Sequence, residues 1–391
     1  MSTPTEGPAP ATKLRAADDT RLRGLARVSH AVIAGEQAPG GAYPASPAFS
    51  AYRGYSWLRD GGFTAEGMSR YGDVASVDRF HDWVNRVLAR RRGQVDELVA
   101  RAAAGEAIPP EQMLPTRFHL DDVDEHDDWW NFQTDGYGTW LWSVVTHARR
   151  HGLDLSRWRA GIEIATDYAT AFWDVPCYDW WEEHVEEQHV STLGALYGGL
   201  VAVADARVLD VVRTDAAREA ADTIRTKVLR HGVREAIGGR RHLVKWLGSP
   251  AVDASLASCI VPFGLLAVAD PLAAGTLDEI RDHLDGGGVH RFAADVFYGG
   301  GQWLLLTCLL GWNEHAAGDD DAALARLRWV ADHADPDGRM PEQVPDRLLR
   351  PEGRDHWIGQ WGPVANPLLW SHGMYLILAD ELGLLPAPDQ R

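Results

Sequence analysis

Two adjacent carboxylates, Glu182 and Glu183, directly follow two tryptophans in the stretch YDWWEEHVEE. An apolar neighbour and a nearby like charge both disfavour ionisation of a carboxyl group, and Glu182 has both, in Trp181 and Glu183. Glu182 is therefore a candidate for a carboxyl group that donates a proton. The alternative is a solvated helix face, which is the interpretation we favour for Glu186 and Glu187.

A second candidate carboxylate, Glu342, lies in DPDGRMPEQVP. It follows a Pro-Asp-Gly turn in a short loop between the last two predicted helices, flanked by Met340 and Gln343. Hydrolysis of a glycosidic bond needs two such groups, one that protonates the leaving oxygen and one that activates water or attacks carbon. Glu342 is the candidate for the second role.

The chain has 17 tryptophans, too many to assign to packing alone. Trp142, Trp158 and Trp329 each lie within the apolar period of a predicted helix and are predicted to be core residues. Others lie in or beside the segments that carry the carboxylates, where flat aromatic faces suit the apolar C–H faces of sugar rings. These are Trp57, Trp129, Trp130, Trp180, Trp181, Trp303, Trp361 and Trp370. The predicted ligand class is carbohydrate.

Charge and composition exclude several other classes of protein. The formal net charge of -18 argues against nucleic acid or an anionic membrane as the main partner. The apolar stretch 303–312 is about half the ~20 residues that a membrane span needs. Cys177, Cys259 and Cys308 have no metal-type spacing, and the N-terminus has no apolar signal region. We therefore expect a cytoplasmic protein with reduced, structural cysteines.

The sequence predicts an enzyme that needs no metal and no other cofactor. The acidic stretch 120–128 lacks the glycine and the terminal glutamate of an EF-hand loop, and a solvated lid is the favoured interpretation. His184 and His189 have no obvious third ligand nearby.

Apolar periodicity predicts about twelve helices between residues 18 and 384, in one domain over residues 18–391 that follows a disordered tail over 1–17. The aromatic, glycine and carboxylate-rich segments precede or open every second helix. If the helices run alternately up and down in a closed double ring, these segments meet at one end. This arrangement predicts an all-α fold, an (α/α)6 barrel of six helical hairpins. A solenoid is the alternative, but no fixed-period repeat is found.

The ordered motifs YSWLRD, QTDGYG, YDWWEEH, DASLAS, RFAADVFYGGGQW, MPEQV and WSHG resemble those of the glucoamylase family, the inverting glycosidases of glycoside hydrolase family 15. The resemblance covers nearly all of residues 50 to 385, and it implies the same six-hairpin barrel. It also implies that Glu182 is the general acid, that Glu342 of PEQ is the general base and that Glu183 binds substrate hydroxyls.

Further substrate contacts follow from the resemblance. Arg59 and Asp60 match a pair that grips the nonreducing-end glucose, for which a simple buried ion pair is the alternative. Arg291 matches a guanidinium that contacts sugar hydroxyls. Trp129 and Trp130 are alternatives for an aromatic residue that the family has near this place, and we select Trp130. Aromatic walls are expected at Tyr55, Trp57 and Trp181. Lys245 and Trp246, in a loop with no firm family match, are candidates for contacts to the second sugar.

The expected reaction is inverting release of β-glucose from the nonreducing end of short α-glucosides. The chain has no room for a starch-binding module, which favours a short substrate such as isomaltose, with an α-1,6 linkage, as in compact members of the family. Activity on α-1,4 chains or trehalose stays open. A catalytically dead carbohydrate-binding protein is the alternative from another class, and a phosphorylase is disfavoured because no basic phosphate cradle is evident.

Overall fold

The computed structural model describes residues 10–121, 129 and 132–387 of the chain. This part of the protein is mainly helical. Its α-helices are α1 Pro10–Glu36, α2 Leu58–Tyr71, α3 Val74–Ala89, α4 Arg92–Ala103, α5 Asp135–His151, α6 Arg159–Phe172, α7 Val190–Ala206, α8 Val211–His231, α9 Pro271–Leu284, α10 Leu304–Ala316, α11 Asp320–Asp332, α12 Arg354–Trp361 and α13 Leu369–Glu381.

Six helical segments form an inner ring. They are α2, α5, α7, the 3₁₀ helix Ala254–Cys259, α10 and α13, and each contacts the next. Helix α13 returns to α2, so the ring is closed, and α1, α3, α6, α8, α9 and α11 pack around it. The predicted (α/α)6 barrel is confirmed, because the α13–α2 contact would be absent from an open solenoid.

Glycines allow the inner helices to pack closely. A Cβ atom on Gly67 of α2 would lie 2.4 Å from the carbonyl oxygen of Gly373 in α13. A Cβ atom on Gly138 of α5 would lie 2.4 Å from the carbonyl oxygen of Ala195 in α7. Any side chain at these positions would force the helix pairs apart, so glycine is required for the tight inner ring.

Three short antiparallel strand pairs lie in the connections between the helices. They are β1 Tyr55–Trp57 with β2 Arg117–His119, β3 Val233–Glu235 with β4 Arg241–Leu243, and β5 Gln302–Trp303 with β6 Gln343–Val344. The register of the last pair sets Gln343 opposite Trp303. It thereby fixes Glu342 beside the segment that leads into α10.

Several predicted boundaries differ from the structure. The predicted helix over 74–103 is divided into α3 and α4, and the predicted helix over 251–268 is reduced to the 3₁₀ helix. There the Asp253 side chain accepts hydrogen bonds from the backbone N–H and the hydroxyl of Ser255, which favours a tight turn, and Pro262 has no N–H to continue a helix. Helix α1 begins at Pro10, within the predicted tail, because proline suits the first turn of a helix. Residues 1–9 lie outside the described chain.

Among the described residues, none of the helices combines the length and the apolar composition that a membrane crossing requires. All three cysteines are buried free thiols. A hydrophobic core runs from Leu22 to Leu385 and includes the inner faces of both helical layers.

Candidate active site

The segments that precede or open α2, α7, α10 and α13 line one cavity of about 610 Å³. It brings together eight residues that the sequence predicts for the site. These residues are Trp57, Arg59, Asp60, Trp181, Glu182, Glu183, Arg291 and Glu342. The starts of four of the six inner helical segments therefore meet at one cavity, as the sequence predicts.

Glu182 lies in an irregular loop over residues 178–184, which we call the acid loop, just before α7. Its backbone has a positive φ of 64°, an uncommon conformation for a residue with a side chain. The indole nitrogen of Trp57 donates to Glu182 Oε1 over 2.8 Å, and that of Trp129 donates to Oε2 over 2.6 Å. Burial raises the pKa of Glu182, although both donors and the nearby Arg59 oppose the shift. Both carboxylate oxygens therefore have a fixed direction within the cavity.

A buried charge network holds the acid loop. Asp179 Oδ1 accepts hydrogen bonds of 2.9 Å from the backbone N–H groups of Trp181 and Glu183, one on each side of the acid. Asp253 Oδ2 accepts a bond of 2.9 Å from the Trp181 indole. The Lys245 ammonium bridges the two aspartates, at 2.9 Å from Asp179 Oδ2 and 2.8 Å from Asp253 Oδ2. Trp181 is thus held through its backbone and through its ring.

Glu342 is 3% exposed and lies one residue before β6. Its backbone N–H donates to the carbonyl of Ala365 over 2.9 Å, and the hydroxyl of Tyr52 donates to Glu342 Oε1 over 3.0 Å. No side-chain or backbone donor of the described chain reaches Oε2. Burial raises the pKa of Glu342 to about 8, and the Tyr52 hydroxyl and Arg291 partly oppose this shift. One oxygen is therefore held by Tyr52, while the other is buried with no donor from the described chain.

An aromatic pair links the two carboxyl groups. The Tyr52 ring contacts the Trp57 ring edge to face, with centroids 5.5 Å apart, and each ring donates a hydrogen bond to one of the glutamates. Glu182 and Glu342 thus lie on either side of the pair and border the same cavity. Two separately held carboxyl groups of this kind can act as proton donor and proton acceptor on one bound molecule.

The inner end of the cavity contains Arg59, which is 4% exposed, and Asp60. Arg59 donates to Gln133 Oε1 over 2.7 Å and to Asp135 Oδ2 over 3.0 Å, while its Nε lies 3.4 Å from Asp60 Oδ1. The alternative of a simple Arg59–Asp60 ion pair does not describe this geometry, because Asp135 is the nearer carboxylate. Burial raises the pKa of Asp60 to about 7, with Arg59 opposing the shift.

A second guanidinium, that of Arg291, faces the cavity from the segment before α10. It contacts Glu183 Oε1 over 3.3 Å and pairs with both oxygens of the buried Asp295. Its Cζ atom lies 5.3 Å from the ring centroids of Trp181 and Trp303. The guanidinium of Arg291 is therefore fixed in direction at the cavity wall.

The two residues predicted to contact the second sugar, Lys245 and Trp246, lie outside the cavity lining. Lys245 is buried and does not line the cavity, because its ammonium pairs with Asp179 and Asp253 beneath the acid loop. Trp246 is also outside the cavity lining and packs behind it, with its ring 4.9 Å from the ring of His184.

Tyr55, which is predicted to be an aromatic wall of the site, also lies away from the cavity. The guanidinium of Arg117 lies over its ring, with Cζ 3.9 Å from the centroid, and Tyr55 is not part of the cavity lining. Tyr52, three residues earlier, provides the tyrosine wall instead. Trp130 lies outside the described residues, whereas Trp129 lines the cavity and contacts the acid.

Sequence reasoning missed several lining residues. Asp135 does not line the cavity but orients Arg59 from behind it, and it could have been selected as the only carboxylate of the motif QTDGYG. Trp357 and Gln360 lie on α12, a short helix that periodicity did not predict. Among the described residues, no group of three or more His, Cys, Asp or Glu side chains is arranged to hold a metal ion. Most of the acidic stretch 120–128 lies outside them.

Comparisons with known proteins agree with this geometry. Residues 19–358 match the family model of the glycosyl hydrolases of family 15. The chain is 65% identical to an isomaltose glucohydrolase of Kribbella flavida over 368 residues, which cover 94% of each protein. A solved wild-type glycosidase superposes with a TM-score of 0.91 at 64% identity, and the match covers 95% of this chain and 99% of that one.

More distant structures share the fold. A bacterial glucoamylase in complex with acarbose superposes with a TM-score of 0.72 at 19% identity, and the match covers 94% of this chain and 56% of that one. A glucoamylase of Saccharomycopsis fibuligera gives a TM-score of 0.71 at 15% identity and covers 94% of this chain and 95% of its own. At this identity the likeness extends to the barrel architecture alone.

Proposed function

The chain belongs to the glycosyl hydrolases of family 15 and is a glycoside hydrolase, and we propose that it releases β-glucose from the nonreducing end of short α-1,6-linked glucosides by inversion. Isomaltose is the first proposed substrate. The observation that carries the proposal is the placement of two buried, separately oriented carboxyl groups, Glu182 and Glu342, on one small cavity.

The proposed reaction is a single displacement. Protonated Glu182 donates its proton to the glycosidic oxygen as the bond from C1 to that oxygen breaks. Ionised Glu342 takes a proton from the water whose oxygen bonds to C1 from the opposite face, so an α-linked substrate gives β-glucose. Inversion leaves room for this water between carboxyl groups ~6.5 to 9.5 Å apart. Burial raises the pKa of both carboxyl groups above the ordinary value of a glutamate.

The substrate proposal rests on the cavity and on the relative. A volume of about 610 Å³ is in the usual range of small-molecule sites, about 300–1,000 Å³, and suits a short saccharide. The Kribbella flavida relative, at 65% identity, is named for isomaltose hydrolysis. We propose that Arg59, Asp60, Trp57, Trp181, Glu183 and Arg291 bind the nonreducing-end glucose.

The organisation and location of the enzyme are also proposals. One continuous core from Leu22 to Leu385 supports a single catalytic domain over residues 18–391. Free, buried thiols at all three cysteines suit a reducing compartment, which supports a cytoplasmic location.

The test is a proton NMR time course with isomaltose in buffer without phosphate. We expect β-glucose to appear first, followed by mutarotation to the mixture of anomers. Early α-glucose would refute inversion, and cleavage of maltose or trehalose in preference to isomaltose would refute the α-1,6 linkage. Full activity of Glu182→Gln and Glu342→Gln would favour a different site, whereas an absolute need for phosphate would indicate a phosphorylase.

A further inference from the structure

Helix α12 borders the active-site cavity but does not belong to either layer of the barrel. None of its eight residues is buried. It packs through Trp357, Ile358 and Trp361 on a small apolar cluster of Phe49, Tyr298 and Ala365 that is separate from the main core. Three of its side chains, Trp357, Gln360 and Trp361, line the cavity. Their i, i+3, i+4 spacing gives the helix one face directed at the ligand.

The position of α12 relative to the acid identifies which part of a substrate it meets. Arg59, Trp180 and Trp370 belong to the buried part of the lining, each less than 5% exposed, and the nonreducing-end sugar occupies this part because Arg59 is its proposed contact. Gln360 is exposed and therefore lies at the mouth. The sugar that leaves lies between the acid and the mouth, since Glu182 has to reach the oxygen that joins the two sugars.

A chain of contacts connects the acid to α12. The Trp129 indole donates to Glu182 Oε2 over 2.6 Å, and the Trp129 ring packs edge to face on the ring of Trp361, with centroids 6.0 Å apart. Any group bonded to the oxygen that Glu182 protonates therefore lies beside these two rings. Gln360, the neighbour of Trp361, is the one carboxamide among the described lining residues, and it can both donate to and accept from sugar hydroxyls.

We propose that α12 forms the binding surface for the leaving-group sugar, with Trp361 against its ring and Gln360 bonded to its hydroxyls. This inference deepens the proposed function and rests on it. It replaces the contacts that the sequence assigned to Lys245 and Trp246. The helix positions the leaving sugar, while proton transfer remains with the two glutamates.

The test compares two substrates that differ only on the leaving side. Isomaltose carries a second sugar, whereas α-glucosyl fluoride carries a fluoride in its place, so only isomaltose can contact α12. We expect Trp361→Ala to lower kcat/KM for isomaltose about tenfold, from the loss of an apolar contact, and to leave the fluoride rate within about twofold. Gln360→Ala is expected to lower it about threefold, from one hydrogen bond.

Controls separate binding from folding. Trp361 also packs on the apolar cluster, but Gln360 is exposed, so Gln360→Ala tests the surface without disturbing the packing. Asp355→Asn, on an exposed residue of α12 outside the cavity lining, is expected to leave both rates unchanged. Equal losses on both substrates, or no loss on isomaltose, would overturn the inference.

The proposed function fails in a distinguishable way. A wild-type enzyme that prefers maltose to isomaltose would refute the linkage, and the same variants then test α12 with maltose against the fluoride. A wild-type enzyme that cleaves none of the disaccharides would overturn both proposals.

Discussion

Lys245→Met is expected to destabilise the protein far more than an ordinary lysine substitution does. The Lys245 ammonium lies between the buried carboxylates of Asp179 and Asp253, at 2.9 and 2.8 Å, and methionine keeps the length of the side chain but removes the charge. Removing one partner of a buried ion pair costs about 3–5 kcal/mol, and we expect this loss in the unfolding free energy at pH 7. Because the same aspartates hold Trp181 next to the acid, kcat should also fall, by up to about 10²-fold.

The pH dependence of this loss gives a sharper test. Burial alone would raise the pKa of Asp179, but Lys245 and His189 outweigh it and the pKa is lowered in the native protein. Such a carboxylate adds stability above its unfolded pKa, which is lost as the pH falls through the native pKa. Without Lys245 the native pKa of Asp179 rises. As the pH falls, Asp179 of the folded variant therefore takes up a proton at a higher pH than it does in the unfolded chain. The stability difference between wild type and variant should therefore be largest near neutral pH and shrink toward about pH 4.

Urea unfolding at pH 7 and pH 5, followed by tryptophan fluorescence, measures the difference. Lys227→Met is the matched control, because Lys227 pairs with the exposed Asp174 and such pairs contribute about 0–1 kcal/mol. A loss for Lys245→Met below about 1 kcal/mol, or one that is equal at both pH values, would refute the electrostatic explanation.

Three further predictions concern the reaction itself. Glu182→Gln should lower kcat on isomaltose by roughly 10²- to 10⁴-fold and hydrolysis of α-glucosyl fluoride much less, since fluoride needs little protonation to leave; equal losses would argue against an acid role. Glu342 must be ionised to accept a proton, and the hydrogen bond from the Tyr52 hydroxyl lowers its raised pKa. Tyr52→Phe should therefore move the acid limb of the kcat/KM profile to higher pH. An unmoved limb would contradict this role. Trp129 favours the ionised form of Glu182, so Trp129→Phe should move the alkaline limb to higher pH; a shift in the other direction would refute the assignment.

The sequence predicted the parts of the site that lie next to regular elements. Arg59 and Asp60 fall in the first turn of α2, and the acid loop immediately precedes α7, so helix periodicity and the alternation of the two layers suffice to bring them together. Glu342 is one residue before β6, whose pairing with β5 follows from the chain returning to the same mouth. For these residues the local helix pattern and the closed ring of helices predict the same position.

Residues whose position depends on long-range packing could not be assigned in this way. Lys245 and Trp246 lie in a loop that the sequence placed at the mouth, but the attraction of two buried carboxylates draws the ammonium beneath the acid loop. Tyr55 and Tyr52 are both aromatic and close to Trp57, but the sequence does not show that Tyr52 lines the cavity while Tyr55 packs under Arg117. Helix α12 has an apolar cluster of its own, so it carries no periodic signal directed at the main core.

The precision of the acid therefore comes from an irregular loop rather than from a helix. Glu182 and His184 both have a positive φ, of 64° and 54°, which costs of order 1–3 kcal/mol for each residue. Asp179 offsets part of this cost by accepting hydrogen bonds from two backbone N–H groups of the loop, and these bonds are strongest when it is an anion. A buried anion needs a buried cation, and Lys245 provides it. Lys245 thereby supports the backbone conformation that orients Glu182, the proposed proton donor.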